Sequence, residues 1–379
     1  MAKDLIRAHV FSNIFPFLFF KQNAGNAQIL DGVEFTIGLD VPDDIDVLIV
    51  YTRASYSIPV DLPRQRTVFV AGEPDVIHNY SAVFLNQFGQ VLTTGEVALD
   101  TIKHHENYCS MWFVGVDFSD LENPDAHKGI DYFRDFDVPE KVNKLSVVTS
   151  NKAYTPFHQE RLEFLEAIRD LIPDRVDFFG RGFKSVDDKM EALAPYKYHI
   201  ALENGGGRYS WTEKLSDPLM CWTFPFYHGC ENAHEELPGE AFEYLDISNP
   251  ETAVRQMVAG IENGLWEKRI KAIGAAREKI MDHYNIMKLF ARMAHGAMAL
   301  PVPEGAARHT LIRSERSLPT GPGERGSTGE RLLRASLLKI DPKIELRAAG
   351  LQRKIEARRI AKRKKKLAKL EQKQAEKKS

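Results

Sequence analysis

"ENGGGRYSWTEKL", Glu203–Leu215, follows the apolar run "YKYHIAL" and leads into a helix-forming stretch. The pattern is a buried strand, a glycine-rich turn and a helix start. In a parallel sheet, ligands bind outside the carboxyl ends of the strands, where these glycines fall. Three residues without Cβ atoms let a ligand approach the backbone closely. Ser210 is placed to cap the helix "WTEKLSD", whose free N–H groups and positive dipole end attract phosphate. Lys214 and Arg208 add full positive charge, and Glu213 can accept both hydroxyls of a ribose. The set suits a nucleoside diphosphate carrying a sugar. A plainer account fits the same letters, because Ser210-x-x-Glu213 is also a capping box. No GxxxxGK[ST] motif occurs, so a P-loop is not supported.

Around this segment strands and helices alternate. "LSVVTSN", "RVDFFGRG", "YKYHIALEN", "FPFYHG" and "AFEYLDI" read as strands, and "FHQERLEFLEAIRDLI" and "SVDDKMEALA" as helices between them. Such alternation builds a parallel sheet wrapped by helices. Helical stretches over 250–264 and 266–298 close this half. Earlier in the chain, "DVLIVYT" (46–52) and "RTVFVAGEP" (66–74) are buried strands. "QVLTTGEVALDTIKHH" (90–105) reads as a strand passing into a helix. "HVFSNIFPFLFF" (9–20) reads as a first strand and a buried loop, since Ser12, Asn13 and Pro16 interrupt it as a signal peptide. The polar stretch 117–144 is the natural linker. The expected division is residues 1–140 as one domain and 141–300 as a second. A Pro-, Gly-, Ser- and Arg-rich linker over 301–330 and a basic helical tail over 331–379 follow.

A chain of 379 residues suffices for about two domains. Hydrophobic content of 43% and charged content of 27% are those of a soluble globular protein. No run approaches the ~18 apolar residues that a spanning helix needs. The net charge of −2 hides an asymmetry: residues 351–379 hold 13 Lys/Arg against 3 Asp/Glu, leaving −12 on the remainder. The three cysteines, Cys109, Cys221 and Cys230, lack metal-ligand spacing, and their odd number fits a reducing compartment.

The segment "APYKYHIALENGGGRYSWTEKLSDPLMCWTFPFYHG" (194–229) resembles the hallmark of glycosyltransferase family 10, the α-1,3/1,4-fucosyltransferases. That hallmark runs Y-K-F, an apolar stretch, E-N-S, then Y-hydrophobic-T-E-K and a strand ending P-hydrophobic-Y-x-G. The resemblance extends from "VVTSNK" through "YLDI" and, more weakly, to "VFVAGEP". It implies an α/β fold of the GT-B type, with two Rossmann-like domains facing a cleft. The second domain would bind GDP-fucose or a related sugar nucleotide, and the first would shape the acceptor side. It also implies transfer with inversion, no cofactor and no catalytic metal. Asn204, Glu213 and Lys214 fall on the family's donor-binding Asn, Glu and Lys. The family's tyrosine three residues before the Glu is Ser210 here, with Tyr209 as the possible substitute. Its diphosphate-binding arginine corresponds to Arg161 or, in a stricter register, to His158. Arg161 keeps its charge at any pH.

Inverting transfer needs a base for the acceptor hydroxyl and preorganised positive charge for the leaving diphosphate. Glu73 ends the strand "RTVFVAGE" beside Gly72 and Pro74 and matches the family's T-G-E, so it is the expected base. Glu96, in "TTGE", is the rival. The Asp-x-Asp of "DDIDVLIVY" reads as a polar lead-in to a strand rather than a metal site. His104 and His105 read as surface residues of a helix. Gly180 and Gly182 end a strand at the same sheet edge, as cleft lining or as an ordinary turn. The expected function is an inverting fucosyltransferase acting on a surface glycan or its lipid-linked precursor at the cytoplasmic face of a membrane. The competing expectation is a catalytically silent nucleotide- or sugar-binding protein. The tail (351–379) suits peripheral contact with anionic lipid or a solvated helix; a nucleic-acid role is not favoured.

Overall fold

The apolar runs of the amino-terminal half become strands: β1 (Ile6–Phe11), β2 (Ile29–Leu30), β3 (Val33–Gly38), β4 (Val47–Tyr51), β5 (Ile58–Pro63), β6 (Thr67–Val70), β7 (Gln90–Leu92) and β8 (Ile102–His104). This computed structural model describes residues 5–75, 77–107, 111–149, 156–180 and 182–315, with positions 318, 336 and 358. Seven strands form one sheet in the order β2-β3-β1-β4-β6-β7-β8. All its pairings are parallel except β2–β3. Val47–Tyr51 is buried at every residue, as a strand covered on both faces requires. Asp44 and Asp46 lie ahead of it and bind Arg7, Asp44 at 2.8 Å, which is the polar lead-in the sequence suggests. Short helices α1 (Pro16–Phe20) and α2 (Ala82–Leu85) pack here; α1 replaces the expected loop.

The second lobe contains α3 (Ile130–Asp135), β9 (Val142–Val148), α4 (Pro156–Leu171), β10 (Val176–Phe179), α5 (Met190–Leu193) and β11 (Tyr196–Gly207). It continues through α6 (Glu213–Met220), β12 (Phe224–Cys230), α7 (Ala233–Glu236), β13 (Glu243–Tyr244), α8 (Pro250–Glu262) and α9 (Leu265–Asp282). Its sheet is wholly parallel, in the order β10-β9-β11-β12-β13. The chain leaves β9 and β11 in opposite directions, so a switch point lies between them. Each sheet carries its own apolar core. Two Rossmann-like lobes of the GT-B type result, as the resemblance implies.

Four local expectations change. First, 93–105 is not a helix. Thr101 donates to the carbonyls of Phe88 and Gly89 at 2.7 Å, and β8 then pairs with β7. His104 is therefore a strand residue, 2.7 Å from Gln90. Second, the crossing between lobes lies ahead of the polar stretch 117–144. Trp112, Val114, Ile130 and Phe133 already pack in the second core. Polarity there marks an exposed loop within the second lobe. Third, α10 (Ile286–Ala299) returns to the first lobe, where Phe290 meets Tyr51 at 5.5 Å and Phe19 at 5.9 Å. Fourth, the expected linker contains β14 (Arg308–Ile312), antiparallel to β5. Ser314, Glu315 and Leu318 continue along the same lobe, on Ser57, His78 and the first core. The tail, apart from two isolated positions, lies outside the described residues.

Candidate active site

The sheet of the second lobe is irregular where it matters. β11 pairs with β12 as far as Leu202↔His228 and resumes at Gly207↔Cys230, so four residues of β11 face one of β12. A bulge of this kind bends the strand and re-aims side chains. It turns Glu203 inward and Asn204 toward the switch point. Gly229 lies opposite; a Cβ there would stand 2.3 Å from Glu203 Cγ. Glu203 is buried and takes the backbone N–H of Thr212 at 2.7 Å, its hydroxyl at 2.6 Å and the Tyr227 hydroxyl at 3.4 Å. Burial raises its pKa against the opposing pull of Lys214.

Thr212, not Ser210, caps α6, accepting from Lys214 N at 3.3 Å. Ser210 is buried, and its hydroxyl lies 3.3 and 3.4 Å from the carbonyls of Gly206 and Gly207. Ser210 is neither the expected cap nor part of a capping box, because Glu203 holds Thr212 in the cap position. Tyr209 adopts φ 58°; its N–H donates to Asn232 at 2.8 Å and its ring lies under Arg208. Arg208 pairs with Glu235 at 2.9 Å.

A cleft of about 270 Å³ opens at the switch point. Asn204, Arg161, Glu213 and Lys214 line it, together with Thr149, Lys189, His199 and Asp217. Tyr209, Ser210, Gly180 and Gly182 are not among its lining residues; Gly180 and Gly182 belong to the turn after β10. Arg161 is buried and donates to the Asn204 side-chain oxygen. The side chain of His158 lies outside the described set. Lys214 Nζ lies 3.1 Å from Glu213 Oε1 and 3.7 Å from Glu203 Oε2. Lys189 Nζ lies 2.7 Å from Asp217 and 3.7 Å from Glu213. Burial disfavours the Glu213 charge, but Lys214 and Lys189 outweigh it and hold its pKa down to about 2. Burial likewise opposes the Lys189 charge, which Asp217 and Glu213 more than restore. His199 is the reverse case: burial pushes it down to about 3, and its Nδ1 sits 2.8 Å from Ser146.

Lys189 and Asp217 were not foreseen. Asp217 stands one turn after Glu213 on α6, so helical spacing could have found it. Lys189 comes from the irregular chain before α5 and leaves no periodic signal.

Glu73 follows β6 in the first lobe; it is not among the residues that line the cleft, but the charges of Lys214 and Glu213 reach it. Gly72 before it packs so closely on Thr52 that a Cβ would lie 2.0 Å from the hydroxyl. Thr52 itself adopts φ 70°, a strained state for a β-branched residue. Its N–H donates to Val70 O at 2.8 Å, and its carbonyl accepts from the Tyr80 hydroxyl at 2.7 Å. Strain held this way concentrates at functional sites. Burial raises the Glu73 pKa; Lys214 opposes the rise and Glu213 adds to it, so all three share one electrostatic field. Glu96 has a side chain 93% exposed, 3.9 Å from Lys103. Among the described residues no group of three or more His, Cys, Asp or Glu is arranged to hold a metal ion. No described helix is long and apolar enough to cross a membrane.

No protein-family model matches the chain, and no curated protein matches it in sequence. Similar solved structures include an α1,3-fucosyltransferase with GDP-fucose, 16% identical, with TM-score 0.45 over 75% of this chain and 94% of the other. An α-glucosyltransferase in complex with UDP and a 13-mer DNA is 11% identical, with TM-score 0.45 over 77% and 99%. WaaG, a glycosyltransferase involved in lipopolysaccharide biosynthesis, is 10% identical, with TM-score 0.40 over 78% and 100%. Likenesses this remote say nothing of the residues in the cleft.

Proposed function

We propose that the protein is an inverting glycosyltransferase that moves a sugar, fucose from GDP-fucose by the resemblance of 194–229, to a hydroxyl of a glycan acceptor. One observation carries this reading. A cation–carboxylate cluster of buried Arg161 with half-buried Lys189, Glu213 and Lys214 lines the cleft at a sheet switch point, and Glu73, in the other lobe, lies within reach of the charges of Lys214 and Glu213. Glu213, ionised throughout the physiological range, would accept the ribose hydroxyls. Lys214, Arg161 and Asn204 would hold the diphosphate and meet the charge that grows on it as it leaves. The acceptor oxygen forms its bond to the anomeric carbon while the bond from that carbon to the phosphate oxygen breaks. The acceptor proton passes to the Glu73 carboxylate. Desolvation makes that carboxylate a stronger base than an exposed one. Ser210 and Tyr209 would act only by shaping the turn beneath the donor.

The test is turnover of GDP-fucose with candidate acceptors, in the wild type, Glu73→Gln and Lys214→Ala. Both variants should lose transfer, the first through kcat by about 10²–10⁴-fold, the second chiefly through nucleotide affinity. A wild type that binds GDP yet turns over no donor with any acceptor would be the silent binding protein instead. A thermal-shift screen of nucleotide sugars identifies the donor, since a ligand at a hundredfold excess over its Kd adds about 2.7 kcal/mol. The +10 charge of 351–379 supports peripheral contact with anionic lipid at a cytoplasmic membrane face, with a lipid-linked or surface glycan as acceptor.

A further inference from the structure

Among the described residues, two passages of chain join the lobes. Along the first, side chains alternate between cores: Met111, Phe113 and Val116 pack with the first, Trp112 and Val114 with the second. The return passage runs from Tyr284 in the second core to Ile286 in the first. Between them Asn285 donates to Met281 O at 2.8 Å and Gln22 O at 3.0 Å. Gln22 in turn donates to Trp112 O at 3.2 Å. The passages therefore lie side by side, where a rotation of one lobe against the other would bend both.

The first passage is gripped from the second lobe by carboxylates. Asp217, 1% exposed, accepts the N–H groups of Phe113 at 2.8 Å and Val114 at 3.1 Å on one oxygen. Its other oxygen takes Lys189 at 2.7 Å. Asp188, the neighbour of Lys189, accepts the N–H of Gly115 at 2.8 Å and pairs with Lys128 at 2.8 Å. Lys189 thus stands between two carboxylates of α6. Asp217 holds the crossing; Glu213, 3.7 Å away, lines the cleft. Its ammonium also lies 5.7 Å over the Phe113 ring, a third contact with the same crossing.

We infer that Lys189 is a positioning residue that links occupancy of the cleft to the set of the crossing at Phe113–Gly115. The inference rests on the proposed nucleotide site. A ligand whose hydroxyls donate to Glu213, or whose phosphates draw Lys214 away from it, changes the charge that Lys189 shares between Glu213 and Asp217. The hold of Asp217 on the two backbone N–H groups changes with it. Linkage makes the effect mutual, so a crossing set for closure favours the ligand by the same factor.

The test uses the full chain with GDP as probe and reads amide hydrogen exchange at Phe113 and Val114. In the wild type, saturating GDP should slow exchange there about tenfold, within the usual span of coupling between sites. Lys189→Arg should keep the effect. Lys189→Met should lose it even when GDP is raised until the variant is saturated, whatever its affinity. Lys189→Met with Asp217→Asn removes the unpaired buried carboxylate, in case the single variant folds poorly, and should also lose it. If GDP binds the wild type without altering exchange, or the double variant retains the change, the link is refuted and the donor site stands. If neither GDP nor any sugar nucleotide binds the wild type, the transferase reading falls and this inference falls with it.

Discussion

Burial pushes the pKa values of both Glu73 and Glu213 up, but Lys214 and Lys189 beside Glu213 reverse the direction there, so the two carboxylates diverge. Such divergence is how acid–base roles are divided between like groups. The acidic limb of the kcat/KM profile should lie above 4.5, the ordinary glutamate value, and disappear in Glu73→Gln. Glu213 behaves oppositely for stability. Its folded pKa of about 2 lies below the ordinary 4.5, so its contribution is complete above pH 4.5 and is lost as the pH falls through 2. Denaturant melts should show the wild type more stable than Glu213→Gln by up to about 3 kcal/mol at pH 6. The gap should close toward pH 2. That Asn204, Glu213 and Lys214 come to line one cleft follows from their place in one motif, where local spacing brings them together. Arg161 needed the resemblance, and Lys189 was invisible because only the fold brings it beside α6.

The bulge of β11 and the start of α6 act as one device. The bulge buries Glu203, Glu203 fixes Thr212, and Thr212 sets where α6 begins and so where Glu213 and Lys214 stand. Thr212→Ala should cost about 2 kcal/mol in chemical denaturation, from the lost cap and a buried carboxylate oxygen left without its donor. Nucleotide affinity should fall as well, because the first turn of α6 loses its anchor. The alternation of the second lobe was legible because buried parallel strands and amphipathic helices carry strong periodic signals. Ser210 misled because serine is intrinsically the better cap, yet Thr212 holds the position. The choice between them came from Glu203, which is buried by tertiary structure. The stretch 93–105 misled for a related reason. Its helix-like letters yield to hydrogen bonds from Thr101 and to the open edge of β7.

At the scale of the whole molecule the division into lobes was legible, and its exact path was not. Composition marks exposure, not where a chain crosses between cores, so the polar stretch 117–144 drew the boundary away from Met111–Val116. Likewise the Pro- and Gly-rich residues around 308–312 conceal a strand. Removal of the basic tail should therefore stop after Leu318. A chain ending there should keep its melting temperature and nucleotide affinity while losing sedimentation with anionic vesicles. Unchanged sedimentation would dismiss the lipid contact. A chain ending at Met298 should unfold more easily, since β5 loses its partner.

The pairing of β14 with β5, and the seating of α10 on β4, also bear on how the molecule is born. A nascent polypeptide that has just emerged through residue 284 has made the entire second lobe, yet still lacks the cover for one face of the first sheet. The first sheet must wait for segments made only after the whole second lobe. Ribosome-held chains of that length should be cut readily by protease within residues 5–107, and chains extended past 320, clear of the exit tunnel, should resist.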